Sequence, residues 1–316
     1  MNKCLGCGKS LQSTDKNKDG YVPRLDKEVI YCQRCFRLKH YGESKKLKTP
    51  KTDSEIINYV NKHAKEIFFI TDFININENV IKLYKKINVK KSLIVNKSDI
   101  IPKNISLEQI KKYISTIFKI TDDIIFTNKK SNLNNLVKKL YKKEVYFLGS
   151  SNSGKSTIIN KLLILDGKNK ILSESFKENT TQEFMKINFK NFCIYDSPGF
   201  YVGAYELNKL TNINDEIKPI SYRINTYSVF SIDDKIKLMI SGKTNVVFYF
   251  SKNVKINRNK KKIDGSIINI PSNSDLVILG LGFIKFTNAA SIYIDDSLKE
   301  YVIVRKSITG GKFKGE

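Results

Sequence analysis

The chain has 316 residues and a mass of 36.3 kDa, with 41% hydrophobic and 28% charged residues. That composition excludes a disordered chain, and the length suits two or three domains with at least one sizeable core. A net charge of +25, from 56 basic and 31 acidic residues, favours polyanionic partners such as RNA. All but six of the basic residues are Lys and 31 further residues are Asn, a joint skew that biased codon composition alone can produce. No apolar run approaches the roughly 18 residues of a membrane span. The opening MNKCLGCGKS carries neither the apolar core of a secretion signal nor an Arg-rich amphipathic stretch. The expectation is therefore a cytoplasmic protein with no membrane partner.

The first feature along the chain is a pair of C-x-x-C turns, Cys4/Cys7 and Cys32/Cys35. This spacing lets two thiolates on one tight turn reach a single tetrahedral Zn²⁺, and Gly6 and Gly8 permit the backbone angles of such a turn. Two disulfides are the alternative, which a reducing cytosol disfavours. With four sulfur ligands no position is left for water, so the zinc is expected to be structural. Arg24, Arg34 and Arg37 crowd this region, and the run from Gln33 to Tyr41 interleaves cations with aromatics, a mixture that clamps phosphates and stacks bases. The same run also suits a solvated helix start or a protein-docking face, and His40 reads as a surface or stacking residue. Residues 42–52, polar and Lys-rich with Pro50, read as a linker.

Strands and helices then alternate. FFIT (68–71) reads as a strand and residues 77–88 as a helix. The apolar run SLIV (92–95) leads straight into Asn96-Lys97-Ser98-Asp99. N-K-x-D is the guanine-reading element of GTPases. The carboxylate of Asp99 would accept the N1 and N2 protons of guanine, Asn96 would tie the loop, and the stem of Lys97 would lie across the base. In a chain rich in Asn and Lys the motif gains weight only from its place at the end of a buried strand. A helix over 106–119 comes next, then DIIFT (123–127), which ends in Thr127-Asn128-Lys129 where GTPases usually carry S-A-K. After a helix over 131–142 comes the strand EVYFL (144–148), succeeded by Gly149 to Thr157 and an apolar helical pattern.

The G-x-x-x-x-G-K-S spacing predicts a loop, with Asn152, Ser153, Gly154 and Thr157, whose backbone N–H groups wrap the α and β phosphates. Lys155 is aimed at β and γ, and Ser156 is given to Mg²⁺. Thr180 and Thr181 lie in a polar segment suited to switch I, with either as the working residue. NFCIY (191–195) then delivers Asp196-Ser197-Pro198-Gly199, the D-x-x-G in which Asp196 holds Mg²⁺ through water and the Gly199 amide senses the γ-phosphate.

Base recognition therefore precedes the phosphate loop, the reverse of the ordinary GTPase order. A doubly wound, mainly parallel α/β sheet tolerates such a permutation, because strand positions fix the site whatever the chain order. One consequence is that the D-x-x-G segment at 196–199, switch II, runs directly into the C-terminal third, so loss of the γ-phosphate is coupled to that part of the chain. From about residue 217 the pattern changes to short β-rich runs, YSVF, VVFYF, SIINI, LVILGLGFIKF and IYIDD. The segment Lys252 to Lys262 reads as a basic hairpin or a solvated loop, and Cys193 as a small core residue.

With its double C-x-x-C and CQRCFRLKHYGE, NKSD, GSSNSGKST, paired threonines, DSPG and DLVILGLGFIKF, the chain resembles the circularly permuted GTPases of the YqeH family, which are bacterial ribosome-assembly factors. The resemblance covers nearly the whole chain. It implies a treble-clef or ribbon-like zinc domain over residues 1–45, a GTPase domain over 46–212 and a β-rich RNA- or protein-binding domain over 213–316. It also implies Mg²⁺-dependent hydrolysis of GTP to GDP, with Lys155, Asn152, Thr181 and Gly199 as catalytic groups and Thr181 beside Ser156 and Asp196 at Mg²⁺. The implied partner is the small ribosomal subunit, through rRNA or ribosomal proteins. The sequence leaves the oligomeric state open, and a monomer is the expectation.

The sequence departs from the family at Ser197, at Glu178-Asn179 and at Asn128. Phe200 comes directly after D-S-P-G, where many GTPases place the Gln that orients water. Among relatives with such a hydrophobic residue, the asparagine corresponding to Asn152 helps bind K⁺; its plain alternative is a local loop-stabilising role. Slow intrinsic hydrolysis, faster in K⁺ than in Na⁺, is the resulting expectation. Two competing readings are an RNA-binding module that senses guanine nucleotide with negligible turnover, and an ATPase in which Asp99 is incidental.

Overall fold

The computed structural model describes residues 3–4, 8–15, 18–23, 25, 31–33, 35, 52–103, 105–168, 184–200, 216–259 and 261–310. From residue 52 to 200 the elements are α1 (Asp53–His63), β1 (Glu66–Asp72), α2 (Glu78–Lys85), β2 (Lys90–Asn96), α3 (Leu107–Phe118), β3 (Ile124–Phe126), α4 (Asn134–Leu140), β4 (Glu144–Gly149), α5 (Lys155–Leu165), β5 (Met185–Asn188) and β6 (Cys193–Asp196). The chain forms two compact units. One comprises Met1–Thr71, Lys82–Asn96 and Thr127–Tyr201, and the other Asp72–Ile81, Lys97–Phe126 and Val202–Glu316.

In the first unit five strands lie in the order β2-β1-β4-β6-β5. β1, β4 and β6 run parallel, and β5 pairs antiparallel with β6. β1 is buried along its whole length, as expected of a strand covered on both faces. From β1 the chain steps outward to β2 and later resumes at β4 on β1's other flank. The pair β1/β4 is thus a topological switch point, where open α/β sheets bind ligands beyond the strands' carboxyl ends. α5 buries Ile158, Ile159, Leu162 and Leu163. α1 has no counterpart among the predicted elements, although its start is written in the sequence: Thr52 and Glu55 form a reciprocal capping box, and Ile56, Ile57 and Val60 make a buried stripe.

The second unit carries two five-stranded sheets in which every pairing is antiparallel. Their strands are β7 (Ile217–Ile224), β8 (Tyr227–Ile232), β9 (Ile236–Ser241), β10 (Thr244–Ser251), β11 (Ile256–Asn259), β12 (Ser266–Ile270), β13 (Ser274–Ile278), β14 (Gly282–Phe286), β15 (Ala290–Ile294) and β16 (Val302–Lys306). The orders are β16-β13-β14-β10-β7 and β11-β8-β9-β15-β12. Phe230, Phe248, Phe250, Leu276, Ile284 and Phe286 belong to one buried core fed by both sheets. LVILGLGFIKF is a hairpin rather than one strand, with β13 and β14 on either side of Leu279-Gly280-Leu281. The basic segment 252–262 is not a self-contained hairpin: β11 pairs with β8 at a sheet edge, and Arg258 donates to Ser228 Oγ at 2.5 Å. Among the described residues no helix is long and apolar enough to cross a membrane.

Candidate functional site

The sheet register brings the phosphate-loop lysine to the D-x-x-G carboxylate. β4 pairs with β6 so that Phe147 lies opposite Asp196, and the loop leaving β4 returns to start α5 at Lys155. There the buried Lys155 ammonium pairs with the fully buried carboxylate of Asp196 and donates to the Ser197 carbonyl at 2.6 Å. Asn152 and Gly154 are both left-handed, at φ 63° and 87°, a backbone arrangement suited to ringing an anion with N–H groups. Gly154 is needed for a second reason: a Cβ there would lie 2.1 Å from Asn96 Nδ2. Within the loop, the buried hydroxyls of Ser150, Ser151 and Ser153 have no hydrogen-bond partner among the described residues. Unsatisfied buried donors of this kind call for a ligand, and beside a lysine they suit a polyphosphate. Ser156 and Thr157, half-buried, lie in the first turn of α5, where the helix N-terminus favours negative charge.

Gly199 packs on the phosphate loop so closely that a Cβ would sit 2.8 Å from Ser151 Oγ. Its neighbour Phe200 is bonded at the carboxyl end of the central strand β4: its N–H donates to the Gly149 carbonyl and its carbonyl accepts from the Ser151 N–H, both at 2.9 Å. The fully buried ring stacks on Phe69 with centroids 5.6 Å apart. Phe200 therefore joins the D-x-x-G segment to the phosphate loop as a packing group.

Asn96 ends β2 and anchors two other motifs. Its Nδ2 donates to the Ser153 carbonyl at 2.8 Å, and its Oδ1 accepts from Thr127 Oγ1 at 2.9 Å. Thr127 also donates its N–H to the Val95 carbonyl at 3.0 Å. After Thr127, Asn128 accepts the Lys130 N–H at 2.8 Å in a side-chain turn, while Lys129 is exposed. Lys161, which no motif nominates, binds the carbonyls of Asn128, Lys129 and Ser131 at 3.0, 3.0 and 2.9 Å. Its only sequence signal is the polar pair Asn160-Lys161 inside an apolar helix. Next along the chain from Asn96, Lys97 adopts φ 58° and pairs with Asp72 at 3.1 Å, and Asp99 is exposed in the single 3₁₀ turn Ser98–Ile100.

At the N-terminal knuckle the sulfurs of Cys4, Cys32 and Cys35 lie within 4.8 Å of one another, all three buried and not disulfide-bonded. The Cys32 N–H donates to Cys4 Sγ at 3.1 Å. Leu11, Val22 and Tyr31 form the small apolar cluster around them. This donor set fits Zn²⁺. So small a core depends on a staple, so a strong chelator should unfold this segment while the rest of the chain keeps its melting transition. Retained exchange protection of the Cys32 N–H after chelation would refute that expectation. Cys7, Arg24, Arg34, Arg37, His40, Thr180 and Thr181 lie outside the described residues. Cys193 is a buried thiol on β6, pushed above its usual pKa by burial.

Two GTPase family patterns match parts of the chain. The RsgA GTPase family pattern matches residues 71–206, and that of the 50S ribosome-binding GTPases matches residues 144–269. The uncharacterized protein YqeH of Bacillus subtilis (strain 168) is 28% identical over 249 residues, covering 70% of this chain and 67% of that one. The small ribosomal subunit biogenesis GTPase RsgA of Clostridium botulinum (strain Loch Maree / Type A3) is 27% identical over 213 residues, covering 57% of this chain and 70% of the relative. Among solved structures, GNP-bound YlqF from T. maritima shares 22% identity over 47% of this chain and 57% of its own, with a TM-score of 0.31.

Proposed function

From the chain's similarity to the RsgA GTPase family and to YqeH, we propose that it is a circularly permuted GTPase that binds and hydrolyses GTP and uses the exchange of GTP for GDP to control attachment to the maturing small ribosomal subunit. The observation that carries this reading is the double anchoring of Asn96 to Ser153 and Thr127, which ties the guanine element to the phosphate loop. Lys155 would meet the β and γ phosphates with the N–H groups from Ser153 to Thr157, and the Gly199 N–H would report the γ-phosphate. Ser156, Asp196 and one of Thr180 and Thr181 would hold Mg²⁺, whose charge offsets that of the phosphates. Asn152 would hold K⁺ beside them, and Cys4, Cys7, Cys32 and Cys35 would hold Zn²⁺. Asp99 would read the base, and Thr127, Asn128 and Lys129 are proposed as nucleotide-binding residues. The domain limits proposed for this scheme are 1–45, 46–212 and 213–316, in a cytoplasmic monomer.

A ribosomal partner is favoured by the role that RsgA's name states and by the +25 charge. In the second unit, Lys103, Lys218 and Lys252 with Pro102, Glu216 and Pro219 line a cleft of about 400 Å³ whose charge suits an rRNA phosphate run. Co-sedimentation with separated ribosomal subunits in GTP, GDP and a non-hydrolysable analogue tests the scheme. Retention on the small subunit in the triphosphate forms and release in GDP are expected, with phosphate release faster in K⁺ than in Na⁺. Replacing the three lysines by Glu should lower retention by about tenfold or more at moderate salt. Equal retention in every nucleotide, or retention on the large subunit alone, rejects the proposed switch. A binding module without turnover is the second reading, favoured by the burial of Phe200, which leaves that position no group to orient water. Its signature is nucleotide-dependent retention with no phosphate release in either salt.

A further inference from the structure

The second unit contains a line of hydrogen bonds that begins on Lys97 and ends inside the β sandwich. Lys97 Nζ pairs with Asp72 Oδ2 at 3.1 Å, where the Asp72 side chain is 1% exposed and that of Lys97 25%. The same carboxylate is held by Asn75, whose N–H donates to Oδ1 and whose Nδ2 reaches both oxygens, each at 3.0 Å. Asn75 Oδ1 in turn accepts the N–H of Gly280, in the β13–β14 turn, at 3.0 Å. On either side of Asn75, the carbonyls of Ile74 and Ile76 accept from Arg305 Nη1, the first at 3.1 Å. Arg305 Nε donates to Asp275 Oδ2 at 3.2 Å, which also takes the Ile308 N–H at 3.0 Å. Phe73 meets Phe283 edge-on with centroids 5.9 Å apart, and Tyr113 donates to the Lys306 carbonyl at 2.7 Å. From Asp72 to Asp275 every side chain in the line is buried.

We propose that Asp72 is the positioning residue of the guanine pocket, fixing Lys97 for the base and, through Asn75 and Gly280, linking base binding to the seating of the β sandwich. The inference rests on the reading of Asn96 to Asp99 as the guanine element. A lysine stem loses much rotamer freedom when it is laid across a base, and an ion pair already holding its ammonium removes part of that loss before the nucleotide arrives. Linkage is reciprocal: if the sandwich contact steadies Asp72 and Lys97, then bound guanine nucleotide must steady the sandwich contact.

The test is a double-mutant cycle on the full chain, reading GDP affinity in wild type, Asp72→Asn, Lys97→Met and the double variant. Asp72→Asn should weaken GDP about tenfold, Lys97→Met at least as much, and the double variant no more than Lys97→Met alone. Unchanged affinity in Asp72→Asn, or a further tenfold loss from it in the Lys97→Met background, overturns the positioning role. GDP should also slow hydrogen exchange of the Gly280 N–H in wild type and not in Lys97→Met, a readout that stands even if Asp72→Asn does not fold. Equal protection in both, or protection in neither, overturns the link to the sandwich. Asp99→Asn separates the two levels. If it leaves base preference unaltered, the guanine reading fails and the inference with it; if it alters preference while Asp72→Asn binds GDP normally, the inference alone fails.

Discussion

Asp99→Asn will turn a guanosine-selective site into one that prefers xanthosine nucleotides, moving the ratio of the two affinities by about a thousandfold. The wild-type carboxylate offers two acceptors to the N1 and N2 protons of guanine. An amide offers one acceptor and one donor, which leaves the guanine amino group facing N–H and instead satisfies the 2-oxo group of xanthine. The size of the effect comes from the asymmetry of polar recognition, in which a mismatched buried group loses far more than a missing methylene would. The substitution is clean because Asp99 is exposed in its 3₁₀ turn, while the loop is anchored by Asn96 and Thr127. The melting transition of the free protein should therefore stay where it is. Competition binding with GDP, XDP and ADP reads the result, and an unaltered order of preference would mean that Asp99 does not read the base and would revive the ATPase reading.

Much of the nucleotide-binding core is legible in the linear order of residues because its strands are buried on both faces. FFIT, SLIV and EVYFL stand out as continuous apolar runs, and the N-K-x-D and phosphate-loop motifs sit at the carboxyl ends of the second and third. The reversed order of base and phosphate elements is likewise a property of the chain that needs no coordinates. Half-buried elements are harder to read. β5 alternates buried and exposed residues over only four positions at the sheet edge, so MKIN gives too short a period to register. The Leu279-Gly280-Leu281 turn is buried, so no polar cluster marks the boundary between β13 and β14.

Contacts between distant polar residues are the least legible of all. Lys97 is 25 residues from Asp72, and Gly280 is 205 from Asn75, with no spacing rule connecting them. Lys161 looks like a solvent-facing lysine in a Lys-rich chain until its three carbonyl partners are seen. Charge composition conceals such residues, because 50 lysines, the 56 basic residues less six Arg, provide many equivalent candidates.

Lys155→Met should stop GTP hydrolysis, lowering turnover by about a hundredfold to a thousandfold, since one preorganised cationic donor at the transferring phosphate is removed. It should also destabilise the free protein, because Asp196 is fully buried and its carboxylate loses the ammonium paired with it. Breaking such a pair from one side costs about 3–5 kcal/mol, most of it the penalty of the charge left behind. The two effects can be separated. Adding Asp196→Asn to Lys155→Met removes the stranded charge, so the double variant should melt well above the single one. Turnover should stay lost in both, since neither can offer the cation to phosphate and the double variant also lacks the carboxylate proposed for Mg²⁺. Thermal melting in the absence of nucleotide and phosphate release at saturating GTP read the two effects independently. If Lys155→Met melts normally, the ion pair contributes nothing to the free protein. Turnover within tenfold of wild type would show that Lys155 and its loop are not where hydrolysis takes place.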